Sequence, residues 1–197
     1  DAEYIIAHGL GMKRMELYLN FDRPLSENEL ATLRPLLSRR ATREPLQHIL
    51  EEIPWRNLNL KTDSRALIPR PETEDIIDLA KLYFKNAENK AIEVLDIGTG
   101  SGAIALSVAY EIPDVKVTAV ENSEAALTWL RKNADLIAPQ VEVISADVNN
   151  FVLAEKVDFV TANPPYLPEA EILPKEVAEH EPAVALRGGV SGMEIPS

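Results

Sequence analysis

The sequence predicts an open α/β domain with a doubly wound parallel sheet, preceded by a small helical domain and a β-rich connector. Two observations carry that reading. From residue 91 onward, apolar strand runs at 92–97, 115–121, 141–146 and 157–162 alternate with helical runs at 102–110 and 123–134. A glycine-rich turn, Asp96-Ile97-Gly98-Thr99-Gly100-Ser101-Gly102-Ala103, joins the first of these strands to the first helix. Alternation of this kind requires βαβ crossovers, which cover both faces of a parallel sheet. Right-handed crossovers leave few arrangements, and the strand order expected is 3-2-1-4.

The elements before the sheet follow from local signals. Ser26 with Glu29 three positions later forms a capping box, and Leu30, Leu33, Leu36 and Leu37 follow at helical spacing. A second short helix is expected from near Thr42, with Pro45 in its first turn. Residues 55–62 (WRNLNLKT) alternate as a strand does, with Leu58 and Leu60 on one face. The stretch LIPRPETE leads to Thr73 as an N-cap, after which Ile76, Ile77, Ala80, Tyr83 and Phe84 make one apolar helical face. The expected boundaries are 1–50 for the helical domain, 51–72 for a β-hairpin connector and 73–197 for the α/β domain.

Composition narrows the function classes. The 197 residues are 46% apolar and 26% charged, enough for a sizeable core and unlike a disordered chain. Cysteine is absent, which excludes disulfides and thiolate metal sites, and His8, His48 and His180 lie far apart, so no metal is expected. No apolar run approaches a membrane span, and a cytoplasmic protein is expected. The net charge of −12 is uneven: residues 1–89 hold 13 basic and 15 acidic side chains, residues 90–197 hold 7 and 17. The second part would repel a phosphate backbone, so no direct nucleic-acid partner is expected for it. Residues 34–70 hold eight basic side chains against four acidic, either a face for an RNA or an acidic partner or a solvated surface.

The glycine turn lets the chain bend sharply at the sheet edge where open α/β domains bind small molecules. Glu121 ends the next strand, 19 residues after Gly102, where a carboxylate can accept both hydroxyls of a ribose. The pattern also fits a nicotinamide dinucleotide, or a tight turn holding no ligand. Asp96 helps to choose: a carboxylate beside the turn repels a pyrophosphate and suits an ammonium or sulfonium, both of which S-adenosylmethionine carries. Asp96 ordering the loop by hydrogen bonds is the plainer alternative. A second motif, Asn163-Pro164-Pro165-Tyr166, follows the fourth strand. An Asn oxygen and a proline carbonyl can receive both N–H groups of a planar –NH₂, and Tyr166 offers a π-face or hydroxyl to the group that carries it.

VLDIGTGSGAIALSVA paired with NPPY, preceded by REPLQHIL and LIPRPETE and followed by EHEPAVALRGG, resembles the HemK/PrmC release-factor glutamine methyltransferases over nearly the whole chain. The resemblance implies a Rossmann-like S-adenosylmethionine-dependent methyltransferase domain with a helical N-terminal substrate-recognition domain. It implies N5-methylation of the glutamine in the Gly-Gly-Gln loop of class I peptide chain release factors. It places cofactor contacts at Gly98, Thr99, Gly100, Ser101, Gly102, Glu121, Asp147, Val148 and Asn163. The substrate glutamine falls to Asn163, Pro164, Pro165 and Tyr166, with Asn163, Pro164 and Tyr166 as the catalytic set. The family has seven strands where four are expected here, so C-terminal strands are expected to be missing. Its glycine after REPLQHIL is replaced by Glu51 and Glu52, which puts that turn in question. An adenine-N6 or cytosine-N4 methyltransferase shares the two central motifs, and a non-catalytic scaffold that binds release factor is the alternative outside enzymology.

Overall fold

The computed structural model describes residues 1–85, 92–153 and 156–195. The predicted α/β domain thus includes residues 86–91, 154–155 and 196–197, which lie outside the described residues. The helical part comprises α1 (Ala2–Leu10), α2 (Arg14–Leu19), α3 (Glu27–Ala41) and α4 (Leu46–Leu50). The capping box forms as expected: Ser26 Oγ accepts from Glu29 N at 3.3 Å and Glu29 Oε2 accepts from Ser26 N at 2.8 Å. Gly9 lets α1 lie close against α3, since a Cβ there would meet Leu33 Cδ2 at 2.6 Å.

The expected helix start near Thr42 is corrected. Thr42 closes α3, and Pro45 stands outside α4 as its N-cap, because an extended Pro45 (ψ 139°) cannot serve as a helical residue. The turn that follows explains the missing glycine: Glu51 takes a left-handed conformation (φ 56°, ψ 24°) as the C-cap of α4. Glycine adopts that conformation freely and glutamate does so at a cost.

The expected β-hairpin connector is present, as β1 (Glu52–Trp55) and β2 (Leu58–Lys61), but the run 55–62 is corrected in its bounds: Trp55 ends the first arm and the second begins at Leu58. The reversal occurs at Arg56, whose φ is +49°. Alternation did predict the faces: Leu58 and Leu60 are buried with Ile53 and Trp55.

The remaining helices are α5 (Glu74–Phe84), α6 (Ala103–Glu111), α7 (Glu124–Ile137) and α8 (Lys175–His180). Strands β3 (Ile92–Ile97), β4 (Val115–Glu121), β5 (Glu142–Ser145) and β6 (Phe159–Ala162) form one parallel sheet in the order β5-β4-β3-β6. That is the predicted 3-2-1-4 order; β5 and β6 are shorter than the expected 141–146 and 157–162. Arg56 fastens the hairpin to the sheet domain, with Nε 2.7 Å from Glu111 Oε1 on α6 and Nη2 2.7 Å from Asp78 Oδ1 on α5. Trp55 Nε1 donates to Ala103 O at 3.1 Å and Ser107 Oγ at 3.0 Å.

Seven of the eight basic side chains in 34–70 stand in ion pairs with the chain's own carboxylates. The local excess of positive charge is therefore spent within the molecule. Among the described residues, no helix is long and apolar enough to cross a membrane.

The register positions the site. Ile97 pairs with Val120 on one side and Ala162 on the other, so the residues after all three strands emerge at the same sheet edge. The glycine turn, Glu121 and Asn163 are neighbours for this reason.

Candidate active site

At that edge lies a cavity of about 480 Å³, within the range of small-molecule sites. Its floor is the glycine turn and the end of β4, including Gly98, Thr99, Gly100, Ser101 and Glu121. Val148, Asn163, Pro164 and Pro165 line it as well. Three residues expected at the site do not line it. Gly102 serves packing: at φ +99° it caps α6, and a Cβ would meet Leu106 Cδ1 at 2.6 Å and Leu130 Cδ1 at 3.1 Å. Asp147 turns its carboxylate to Asn149, accepting from the backbone N and from Nδ2 at 2.9 Å each. Tyr166 is 59% exposed and stands outside the cavity.

The turn is shaped by its own hydrogen bonds. Gly98 N donates to Val120 O (2.9 Å), Thr99 N to Val120 O (3.3 Å), Gly100 N to Glu121 Oε2 (2.8 Å) and Gly102 N to Thr99 O (3.1 Å). These four N–H groups are committed to the chain, which leaves fewer donors in the turn for the pyrophosphate of a dinucleotide. Meanwhile Gly98 (φ +66°) and Gly100 (φ +62°) have open space where a Cβ would stand, and Ser101, which lines the cavity, has a buried Oγ without a hydrogen-bond partner among the described residues. A ligand that has a ribose but no phosphate fits these features, and S-adenosylmethionine is such a ligand.

Asp96 takes the plainer of its two expected roles. It is 1% exposed and not among the cavity-lining residues, and Oδ1 accepts from Thr161 Oγ1 on β6 at 2.6 Å. Burial pushes its carboxyl up to about 6, against the hydrogen bond from Thr161 that favours the charged form. Asp96 thereby ties the strand before the glycine turn to the strand before Asn163.

Thr73 is the N-cap residue of α5, as expected, but its side chain makes no cap bond. Its Oγ1 instead lies 3.4 Å from Asn163 Nδ2, a long hydrogen bond that turns the amide nitrogen of Asn163 toward Thr73. Among the described residues Oδ1 of Asn163 receives no hydrogen bond, and both Asn163 and Thr73 line the cavity.

Two segments that sequence reasoning did not assign to the site cover it: 65–69, from the connector, and 182–187. Glu181 joins them, with Oε2 accepting from Ile68 N at 3.2 Å and Oε1 from Arg70 Nη2 at 2.6 Å. Nothing local marks either segment as a cavity wall. Their only signal lies in the strings LIPR and EHEPAVALRGG themselves.

The fold and cavity define a methyltransferase domain of the Rossmann-like class. The family model for the methyltransferase small domain matches residues 74–180, and that for the PrmC N-terminal domain matches residues 1–50. The release factor glutamine methyltransferase of Geobacter sulfurreducens is 38% identical over 197 residues, 99% of this chain and 68% of that protein. Its counterpart from Mycolicibacterium smegmatis is 41% identical over 199 residues, 99% of this chain and 68% of that protein. That of Chlorobaculum tepidum is 38% identical, covering 94% of this chain and 67% of that protein. The chain belongs to the release factor glutamine methyltransferase family, whose methyl donor is S-adenosylmethionine.

Proposed function

We propose that this chain methylates the side-chain amide nitrogen of the glutamine in the Gly-Gly-Gln loop of class I peptide chain release factors, in the cytoplasm, and that its helical residues 1–50 help to recognise that partner. One observation carries the reading. Asn163 and the two prolines after it line the same cavity as the glycine turn, with Asn163 Oδ1 left as an acceptor. When bound, S-adenosylmethionine supplies an electrophilic methyl group on a sulfonium. Residues 98–101 and Glu121 would hold it, the carboxylate taking a ribose hydroxyl on the acceptor position its backbone N–H partners leave open.

The chain's own contribution is placement. An amide nitrogen is a weak nucleophile because its lone pair is delocalised into the carbonyl. Asn163 Oδ1 and the Pro164 carbonyl accept its two N–H groups, fix its direction, and stabilise the positive charge that grows on it during attack. Orientation of this kind accounts for several kcal/mol of a barrier. Among the described cavity-lining residues Glu121 is the only carboxylate, and it is held by backbone N–H groups, so no general base is assigned. The proton leaves the methylated nitrogen for water, to which such a nitrogen is strongly acidic.

The internal pairing of the basic run 34–70 and the −10 balance of residues 90–197 support a protein substrate over DNA. The test is methyl transfer to release factor, to its variant with the target glutamine replaced, and to DNA. Transfer to the first alone is expected. Transfer to DNA, or equal transfer to the glutamine-less variant, overturns the reading. Cofactor binding without transfer to any of the three would make the chain a scaffold.

A further inference from the structure

The Asn163-Pro164-Pro165-Tyr166 loop is held at both ends by backbone. At its start, Ala162 closes the β6 ladder against Ile97. At its end, Leu167 forms an isolated parallel bridge with Arg187: Leu167 N donates to Leu186 O at 2.9 Å, and Gly188 N donates to Leu167 O at 3.0 Å. Only four residues lie between the two anchors. Arg187 reinforces the second one, its Nη1 donating to Pro168 O at 2.6 Å and Glu171 O at 3.0 Å.

The far side of the loop rests on glycine. A Cβ on Gly188 would stand 2.5 Å from Pro165 O, 2.6 Å from Gly192 O and 3.0 Å from Tyr166 Cα, all of them backbone atoms that no rotamer change can move aside. Gly188 does not need glycine for its own conformation, because its φ is not positive. Close approach to the substrate loop is what requires it. Gly192 adds to the same surface, at φ +85°, and a Cβ there would collide with Tyr166 O and lie 3.0 Å from Pro168 N.

We propose that residues 186–192 are the buttress that sets the position of the Asn163–Tyr166 loop, and that Gly188 is its positioning residue. This deepens the reaction proposed above and rests on it. Restoring an ordinary contact from 2.5 Å moves the Pro165 carbonyl by about 0.9 Å. Displacements of about 1 Å in a reacting pair lower rates roughly 100-fold. Glu121 and the glycine turn sit on other elements and are untouched by the shift.

The experiment compares Gly188→Ala with the parent in four readouts: thermal midpoint, cofactor affinity by calorimetry, kcat for release factor methylation, and amide exchange at Leu167. A loss of kcat of about 10- to 100-fold is expected, with cofactor Kd within twofold and Leu167 exchange at least tenfold faster. A folded variant with parental kcat and parental Leu167 exchange overturns the proposal, as does a parallel loss of cofactor affinity and kcat. If Gly188→Ala does not fold, Arg187→Gln decides. It removes two carbonyl contacts without adding bulk, and it is expected to make Leu167 exchange at least tenfold faster and to lower kcat; because Arg187 also lines the cavity, Leu167 exchange is the deciding readout, and parental exchange there overturns the proposal. If the parent itself transfers no methyl group, the reaction assignment fails, and Leu167 exchange in the two variants still judges the buttress.

Discussion

Replacing Asp96 by asparagine removes the carboxylate buried beneath the active-site turn while keeping an oxygen to which Thr161 Oγ1 can donate. Burial lifts Asp96 from 3.8 to about 6, so the folded chain binds this proton more tightly than the unfolded chain does. Its contribution to stability is therefore complete below pH 3.8 and is lost as the pH rises through 6. At 1.36 kcal/mol per unit the whole effect is about 3 kcal/mol, of which about 2 kcal/mol falls between pH 4.5 and 7.5. His48 acts in the opposite sense. It is buried, neither ring nitrogen has a hydrogen-bond partner among the described residues, and burial lowers it from 6.5 to about 4. Its contribution is complete above pH 6.5 and is lost as the pH falls through 4. Between pH 4 and 6.5 the two groups offset each other, and the parent is flatter than either alone would make it. Urea unfolding of the parent and Asp96→Asn, at half-unit steps from pH 4.5 to 7.5, measures this. The stability of the variant relative to the parent should grow by about 2 kcal/mol across the series, and the variant alone should show the His48 slope, rising with pH. A difference that stays constant within about 0.5 kcal/mol refutes the argument that burial perturbs Asp96.

Four other outcomes are expected. Asn163→Ala should lower methyl transfer about 10²- to 10³-fold, far more than it weakens cofactor binding, and Asn163→Asp should fall between it and the parent; parental rates for Ala in a steady-state assay would end the amide-acceptor mechanism. Glu121→Ala should weaken cofactor binding by about 1–3 kcal/mol in calorimetry, whereas unchanged affinity would remove Glu121 from the site. Thr73→Val deletes the acceptor for Asn163 Nδ2 and should lower kcat more than it changes cofactor Kd, while Thr73→Ser should restore most of the loss. Glu51→Gly relieves a left-handed glutamate and should raise stability by about 0.5 kcal/mol, read from the urea midpoint.

The sheet was legible because its cause is local. Runs such as Ile92–Ile97 and Val115–Glu121 are apolar, β-rich and bounded by turn residues, and the crossover rule then left few orders for the four strands, of which the expected one is observed. The hairpin turn was hidden because Arg56 is not a turn residue: its positive φ is held by ion pairs to Glu111 and Asp78, 55 and 22 positions away. Pro45 was misplaced by one turn signal outweighing another, since proline suits both a first helical turn and the extended residue before it. In the site, the turn and Asn163 could be read because strand register brings them to one edge. Tyr166 could not be placed, because its direction depends on the distant 186–192 segment. Thr73 was assigned a cap by its position, and tertiary contact with Asn163, 90 residues on, redirected its hydroxyl.

Most of the hydrogen-bonding capacity of Glu121, the proposed ribose acceptor, is in use within the chain. Gly100 N donates to Oε2, and Asn122 N and Ser123 N donate to Oε1, at 2.8, 3.0 and 2.8 Å. A carboxylate has about four acceptor positions, so roughly one remains for a sugar. The carboxylate is therefore satisfied with or without a ligand, and the turn does not wait for a nucleoside to assemble it. Selectivity for the sugar must consequently be shallow at this position. A deoxy analogue strands no buried acceptor on Glu121, and strong rejection of a ligand that lacks one hydroxyl arises only where its absence leaves a buried polar group without a partner.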